Sequence, residues 1–440
     1  MVEHFPFITE SGQQVLRQLQ EHPHAPCYTH PGVNRVTRAG LRRAKDFAAE
    51  TVTTPPRWSP TAPPTWVDEF VAQCFRAVPL YRRYGPPPVR FADLPTFTRA
   101  DLSHEPWAFV PDTQALDGLL VYNTSGVTGH PLDILTHADS LALYVPLLQA
   151  ALAAHGVTLT GAPGRVSLCL VCFQHQTYTF ASTLAVLNDS GFVKINLNPA
   201  EWREPADRAR FLNDLAPEVF TGDPLAFSEL ARLPLTARPR ALVSTAMTLL
   251  PGLQRSLQNH FDCPVLDVYS LNETGPLAVA VNGAYHLLQP RLYVEVLDDE
   301  GAASLPGVRG EITVTGGFNP FLPLVRYRTG DYARLEWAGD EPRLLDIEGR
   351  APVVFRAADG RLINNIDVST ALRPLPLAQF ALHQCADGAL HLRVAGAGVD
   401  EAVVRSALLK VFGAHQALTI ETVSALEPSG GKWAQYTRAE

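Results

Sequence analysis

No apolar run in this 440-residue chain is long enough to cross a bilayer: the longest, residues 141–154, is interrupted by Pro146 and Gln149. Lysine and arginine form no block, and a formal net charge of −8 with a pI near 6.0 offers no broad positive field to a nucleic acid. Cysteine is sparse. Six residues at uneven spacing fit reduced thiols rather than a disulfide framework. Residues 1–10 carry neither a basic n-region nor an apolar h-region, so the composition predicts a cytoplasmic protein with no membrane and no nucleic-acid partner. Cys169, Cys172 and His175 have a spacing that suits part of a metal site. Residues 165–173 nevertheless read as a buried strand with small core cysteines, and no second ligand pair lies at a typical distance. A Walker loop, G-x-x-x-x-G-K-S/T, is missing too, which argues against the common P-loop folds.

What is present is a globular composition, 46% hydrophobic, enough to bury one large core and a smaller one. Its most informative segment is Asn123-Thr124-Ser125-Gly126-Val127-Thr128-Gly129-His130-Pro131, where hydroxyls and glycines alternate. Glycines let backbone N–H groups turn toward an anion, and the hydroxyls add donors, so the run suits a phosphate cradle. Leu119, Leu120, Val121 and Tyr122 lead into it like a buried strand, which predicts a loop at a strand end.

Residues 1–60 show only weak helical patterning, at 12–21 and 41–50, and no visible chemistry. A helix-period stripe covers 66–84 and ends near Pro79. From 119 to about 350 strands and helices alternate, predicting an α/β layer architecture, with strands at 165–173, 191–197, 241–245 and 265–269 and helices at 177–188 and 205–215. Shorter alternating strands follow, including 292–297 and 311–315, and indicate a β-rich subdomain. Strands at 378–383, 389–394 and 417–423 around a helix at 401–412 predict a small split βαβ-type unit at the end of the chain.

Four more segments bear on chemistry. Val268-Tyr269-Ser270-Leu271-Asn272-Glu273-Thr274-Gly275 places a ring, an amide and a carboxylate on one strand-end turn; the ring can stack on a purine and the carboxylate can hold Mg²⁺. In Val325-Arg326-Tyr327-Arg328-Thr329-Gly330-Asp331 the aspartate can accept both hydroxyls of a ribose. Ile347-Glu348-Gly349-Arg350 sets a guanidinium at the expected domain junction, and Pro428-Ser429-Gly430-Gly431-Lys432 sets a lysine on a loop.

In this order, these segments resemble the adenylate-forming superfamily of acyl-CoA synthetases, peptide-synthetase adenylation domains and luciferases. Val78-Pro79-Leu80-Tyr81-Arg82 and the stretch Leu94-Pro95-Thr96-Phe97-Thr98-Arg99-Ala100-Asp101-Leu102 look like the "PFYR" and "LPxxxKxDL" segments of its phenylacetate-CoA ligase-like branch. The resemblance spans about residues 66–440. It implies an α/β fold with a large N-terminal adenylate-forming domain (layered α/β subdomains plus a β-rich subdomain, 61–349), a small mobile α+β lid domain (350–440), and an unassigned segment over 1–60. It further implies a ligase in which a small carboxylic acid, aryl or small acyl, attacks Mg-ATP to give an acyl-adenylate and pyrophosphate. Coenzyme A or a phosphopantetheine acyl carrier protein is then the acceptor, and a homodimer is compatible with the family.

Site residues carried over by the same resemblance are Thr124, Ser125, Gly126, Thr128 and Gly129 on the β and γ phosphates; Tyr269 and Ser270 with adenine; Asn272 near phosphate; and Glu273 with Mg²⁺. Asp331 and Arg350 match the ribose pair. Lys432 matches the lysine bridging carboxylate and α-phosphate, where a cation offsets the charge that accumulates as two anions meet. Ser244, Thr245, Ala246 and Met247 flank adenine and the acyl pocket, with Phe173, His175 and Gly275 on the substrate side. Thr128, Glu273 and Lys432 are the catalytic set.

The chain departs from the pattern at several positions. "YGxTE" reads Tyr269-Ser270-Leu271-Asn272-Glu273, while His130 and Leu132 stand where basic residues often follow the phosphate loop. "GRxDD" reads Gly349-Arg350-Ala351-Pro352-Val353, where proline fixes φ at a hinge, and Leu362-Ile363 put bulk where a pantetheine arm passes. The sequence therefore leaves three readings open: a thioester-forming ligase, an adenylating enzyme with a non-thiol acceptor, and a nucleotide binder without turnover.

Overall fold

A computed structural model describes residues 5–123, 132–174, 177–349, 353–396, 398–426 and 435–439. The chain divides into two compact units. One comprises Met1–Ile8, Val33–Thr158 and Val268–Ala351; the other comprises Thr9–Gly32, Leu159–Asp267 and Pro352–Glu440.

The first unit is built on antiparallel strands in the order Leu292–Leu297, Arg309–Gly316, Leu324–Ala338, Glu341–Gly349, Ala284–Leu287, Gly275–Val281 and the end of Val265–Leu271. Alternation of β-branched and polar residues makes these strands two-faced, and one face is covered by the Trp66–Ala77 helix and the segment after it. Tyr81, Phe97, Phe109 and Tyr327 are fully buried in that core. The helical stripe expected over 66–84 stops at Ala77, and Pro79 opens a separate turn, Pro79–Arg82, as proline does at a first helical position. Tyr81 on that turn donates to the Pro323 carbonyl at 2.9 Å and accepts from the Val325 N–H at 3.1 Å.

The strand leading into the glycine-hydroxyl run is present, Leu119–Asn123, but it is not the buried strand the sequence suggested. It forms a two-stranded hairpin with Asp133–His137, and Val121 is half exposed, because with one neighbour it has only one face to bury.

The second unit holds parallel strands in the order Ala241–Ser244, Val219–Gly222, Val166–Cys172 and Ser190–Asn196, with Phe180–Leu184 added antiparallel at the edge. The helix expected over 177–188 is thus a strand. Apolar residues at 180, 184 and 187 mimic a helical stripe, yet Asn188 and Asp189 both take left-handed φ, near 55°, and close a hairpin that the flanking aromatic and β-branched residues favour. The helix Asp207–Leu215 falls where expected.

Toward the chain end, Leu418–Val423, Leu390–Ala395, Gln379–Gln384 and Tyr436–Arg438 form a four-stranded sheet in that order, with the Glu401–Phe412 helix over a core of Phe355, Phe380, Leu392, Leu408 and Phe412. Asp400 caps that helix through the Ala402 and Val403 N–H groups. Three of these strands and the helix match the split βαβ expectation; the fourth strand and the Asn365–Leu372 helix were not foreseen.

Candidate active site

The turn carrying Glu273 is a tight reversal between Leu271 and Gly275, which face each other in the antiparallel pair. Gly275 has φ +73°, and a Cβ there would meet Phe318 Cζ at 2.9 Å and Tyr144 Cζ at 3.1 Å, so both conformation and space call for glycine. The backbone on either side is pinned. Gln289, 2% exposed, donates its amide Nε2 to the carbonyls of Thr274 (2.7 Å) and Pro276 (2.8 Å), and the Tyr122 hydroxyl donates to the Asn272 carbonyl at 3.0 Å.

Glu273 itself is buried. Its Oε1 accepts two hydrogen bonds, from Arg99 Nη1 at 3.0 Å and from the Tyr327 hydroxyl at 2.9 Å. Arg99 reaches it because Phe97–Thr98 docks as a short parallel strand on Leu324–Ala338, placing Phe97 opposite Tyr327 and Thr98 opposite Arg328. Thr98 and Asp101 then form a capping box that starts the Arg99–His104 helix. Burial raises the Tyr327 phenol well above its ordinary pKa, and the Glu273 charge adds to the shift, so the phenol stays a donor. Oε2 of Glu273 makes no hydrogen bond among the described residues, leaving one carboxylate oxygen for a further cation.

Tyr269 and Asp331 meet directly: the Tyr269 hydroxyl donates to Asp331 Oδ2 at 2.8 Å. The Asp331 N–H donates to Thr329 Oγ1 at 3.1 Å, and the Thr329 hydroxyl donates to the Ile312 carbonyl at 2.9 Å. Gly330, at φ +80°, donates its N–H to Glu311 Oε1 at 2.9 Å, while Arg328 binds the other oxygen of that carboxylate at 2.6 Å. Burial raises the Tyr269 phenol well above its usual value, reinforced by the Asp331 charge and its hydrogen bond. In this arrangement the Tyr269 ring is tethered through its hydroxyl to a carboxylate.

In the second unit, Ser244 ends the Ala241–Ser244 strand, fully buried, and its Oγ has no partner among the described residues. The Thr245 N–H donates to the Gly222 carbonyl at 2.9 Å. Ala246 adopts φ +67°, a conformation costly for a residue with a Cβ. Met247 Sδ accepts from Gln379 Nε2 at 3.5 Å. Phe173 follows the Val166–Cys172 strand and is half-buried. Thr124, Ser125, Gly126, Thr128, Gly129, His175, Arg350 and Lys432 lie outside the described residues.

The structure thus joins Tyr269 to Asp331 and surrounds Glu273, and it adds Arg99, Tyr327 and Gln289 to the residues read from sequence. Arg99 and Tyr327 sat inside segments already singled out, at the basic position of the LPxxxKxDL-like stretch and four residues before Asp331. Gln289 carried no such signal. Among the described residues no group of three or more His, Cys, Asp or Glu side chains could hold a metal ion. One carboxylate oxygen is nevertheless a fitting donor for Mg²⁺, which keeps most of its waters and is shared with phosphates.

No family model matches the chain. It is 24% identical over 298 residues to Protein CapK of Staphylococcus aureus, a match covering 64% of this chain and 63% of that protein, so less than two thirds of the relative's length is spanned. Among solved structures it resembles 2-hydroxyisobutyryl-CoA ligase in the postadenylation state with 2-HIB-AMP, with a TM-score of 0.61, 17% identity and 90% of each chain covered. ATP-bound MatB from Rhodopseudomonas palustris superposes with a TM-score of 0.50 and 19% identity over 74% of this chain and 68% of that one. The chain therefore has the fold of these solved structures, α/β with a large sheet and a small C-terminal module.

Proposed function

We propose that this protein is an AMP-forming acid–thiol ligase of the phenylacetate-CoA ligase-like branch, with a large domain over 61–349 and a small mobile domain over 350–440. A carboxylate oxygen of a small acyl or aryl acid attacks the α-phosphorus of ATP. The bond from that phosphorus to the bridging oxygen breaks, and pyrophosphate leaves. A thiol of coenzyme A or a carrier protein then attacks the acyl carbon and releases AMP.

The single observation that carries this reading is the pairing of Tyr269 with Asp331 beside the clamped Glu273, within this fold. Tyr269 offers a ring face to adenine, and Asp331 offers its carboxylate to ribose hydroxyls. Arg99 and Tyr327 hold Glu273 oriented through Oε1, with Oε2 left to hold Mg²⁺. That ion, when bound, would neutralise phosphate charge. Thr124, Ser125, Gly126, Thr128 and Gly129 are assigned to the β and γ phosphates, Arg350 to ribose, and Lys432 to the carboxylate and α-phosphate.

ATP–pyrophosphate exchange across a panel of aryl, hydroxy-aryl, amino and fatty acids tests the first half-reaction, with Lys432→Ala as the control. Exchange with at least one acid, abolished by the substitution, is the expected result; a blank panel would return the chain to the nucleotide-binder reading. Release of AMP that ignores both coenzyme A and carrier proteins would replace the thiol with another acceptor.

A further inference from the structure

Lys194 lies in the interior of the second unit, on the Ser190–Asn196 strand between Val193 and Ile195, and is only 7% exposed. Its strand pairs on both sides, Lys194 opposite Leu170 in the parallel neighbour and opposite Phe180 in the antiparallel one. The ammonium stands over the ring of Tyr178, 3.3 Å from the centroid. It forms no hydrogen bond and no ion pair among the described residues. A ring face balances part of the charge. It leaves the three N–H donors of the ammonium without a protein acceptor among the described residues.

Several polar groups nearby are already engaged. Asn196 Oδ1 accepts from the Gln174 and Asn198 N–H groups at 3.1 and 3.2 Å, and its Nδ2 donates to the Gln174 carbonyl at 2.8 Å. Trp202 Nε1 donates to the Asn196 carbonyl at 2.6 Å. Asp223 spends an oxygen on the Ala226 N–H at 2.8 Å, capping the Pro224–Leu230 helix. Burial pushes the Cys172 thiol up to about 11, with Lys194 pulling it down and Asp223 and Glu201 pushing it further up, so both acids also face this region. Lys194 is the cation of this set, and it has no acceptor among the described residues.

Its location also points to a ligand. Lys194 sits near the carboxyl ends of the parallel strands, and the Val166–Cys172 strand has later strands on both sides, Ser190–Asn196 and Val219–Gly222. Chain direction switches there, and the crevice beyond such strand ends is where open α/β sheets bind small molecules. Tyr178, 59% exposed, forms a wall with Phe180 stacked beside it at 6.1 Å.

We infer that Lys194 is an anion-binding residue, taking a carboxylate or phosphate group of a small molecule against the Tyr178 ring. The inference stands apart from the adenylation reading, and its test needs no turnover. Malonate and inorganic phosphate are titrated separately into the full-length protein by calorimetry at constant ionic strength, with Lys194→Met and Lys194→Arg alongside. The wild type should bind one of the two anions; Lys194→Met should weaken it roughly tenfold or more, as loss of a charge-assisted hydrogen bond does, and Lys194→Arg should retain it. Binding of malonate alone identifies a carboxylate ligand, and binding of phosphate alone a phosphate-bearing one. Should Lys194→Met fail to fold, acetylation of the wild type read by mass spectrometry takes its place, with the bound anion expected to protect Lys194. If neither anion binds, if Lys194→Met binds as well as wild type, or if no protection is seen, Lys194 is a snorkelling structural lysine and the inference fails.

Discussion

Glu273 receives both of its hydrogen bonds on one oxygen, and the two donors differ in what their loss does. Arg99→Met leaves a buried carboxylate without its cation, which costs roughly 2–4 kcal/mol of stability. Tyr327→Phe removes a neutral donor and costs about 1–2 kcal/mol. If Glu273 works as a carboxylate, pyrophosphate exchange by Arg99→Met should fall at least ~10-fold, and Arg99→Lys should restore most of it. Exchange left at the wild-type rate would separate Arg99 from the chemistry. At Ala246 the sign is reversed: glycine relieves a left-handed φ, so Ala246→Gly should stabilise by about 0.5–1 kcal/mol in denaturant unfolding. A loss of stability there would mean that the methyl group has contacts outweighing the backbone strain.

Among the elements, the short pieces do the positioning. The two-residue strand Phe97–Thr98 and the six-residue helix Arg99–His104 bring a guanidinium to Glu273 from a distant part of the sequence. Thr98→Ala removes the capping box and should cost about 1 kcal/mol, with a fall in activity larger than that loss alone explains, measured as exchange rate on protein still fully folded. Gly275→Ala drives a Cβ into Phe318 and Tyr144 and should lower the thermal midpoint by several degrees, through about 2–3 kcal/mol of overpacking and strain. Strands with alternating or continuous apolar character were legible in the sequence, as were the helix at 207–215 and the Asp400-capped helix at 401–412. The 180–184 strand was not, since its apolar spacing satisfies two periods and only tertiary pairing decides between them. The same limit applied to the site. Tyr269, Glu273 and Asp331 were readable because each stands in a recognisable run, whereas Gln289 acts through a contact that no local pattern encodes.

For the whole molecule, titration and thiol chemistry give two tests that do not depend on substrate. Burial lowers the pKa of His22, whose ring packs edge-on against Phe211 and lies 3.3 Å from Asp214. The unfolded chain therefore binds the proton more readily, and the stability His22 contributes is present above about pH 6.5 and lost as pH falls toward its folded value. His22→Gln should flatten that part of the stability–pH curve; an unchanged curve assigns the acid sensitivity elsewhere. Cys74 and Cys172 are buried, with thiols pushed up to about 12 and about 11, while Cys27 is exposed. Iodoacetamide at pH 8 should modify Cys27 in the native protein and reach Cys74, Cys169 and Cys172 only on unfolding, as peptide mapping would read.

The docking of Phe97 beside Tyr327 has a kinetic side as well. It closes a loop of about 230 residues, and the chain entropy surrendered in such a closure is recovered only once both partners exist. On the ribosome the guanidinium is synthesised long before the phenol it must stand beside, so the carboxylate clamp is assembled among the last events of folding. An early refolding species should hold formed helices and lack the Arg99–Glu273–Tyr327 clamp.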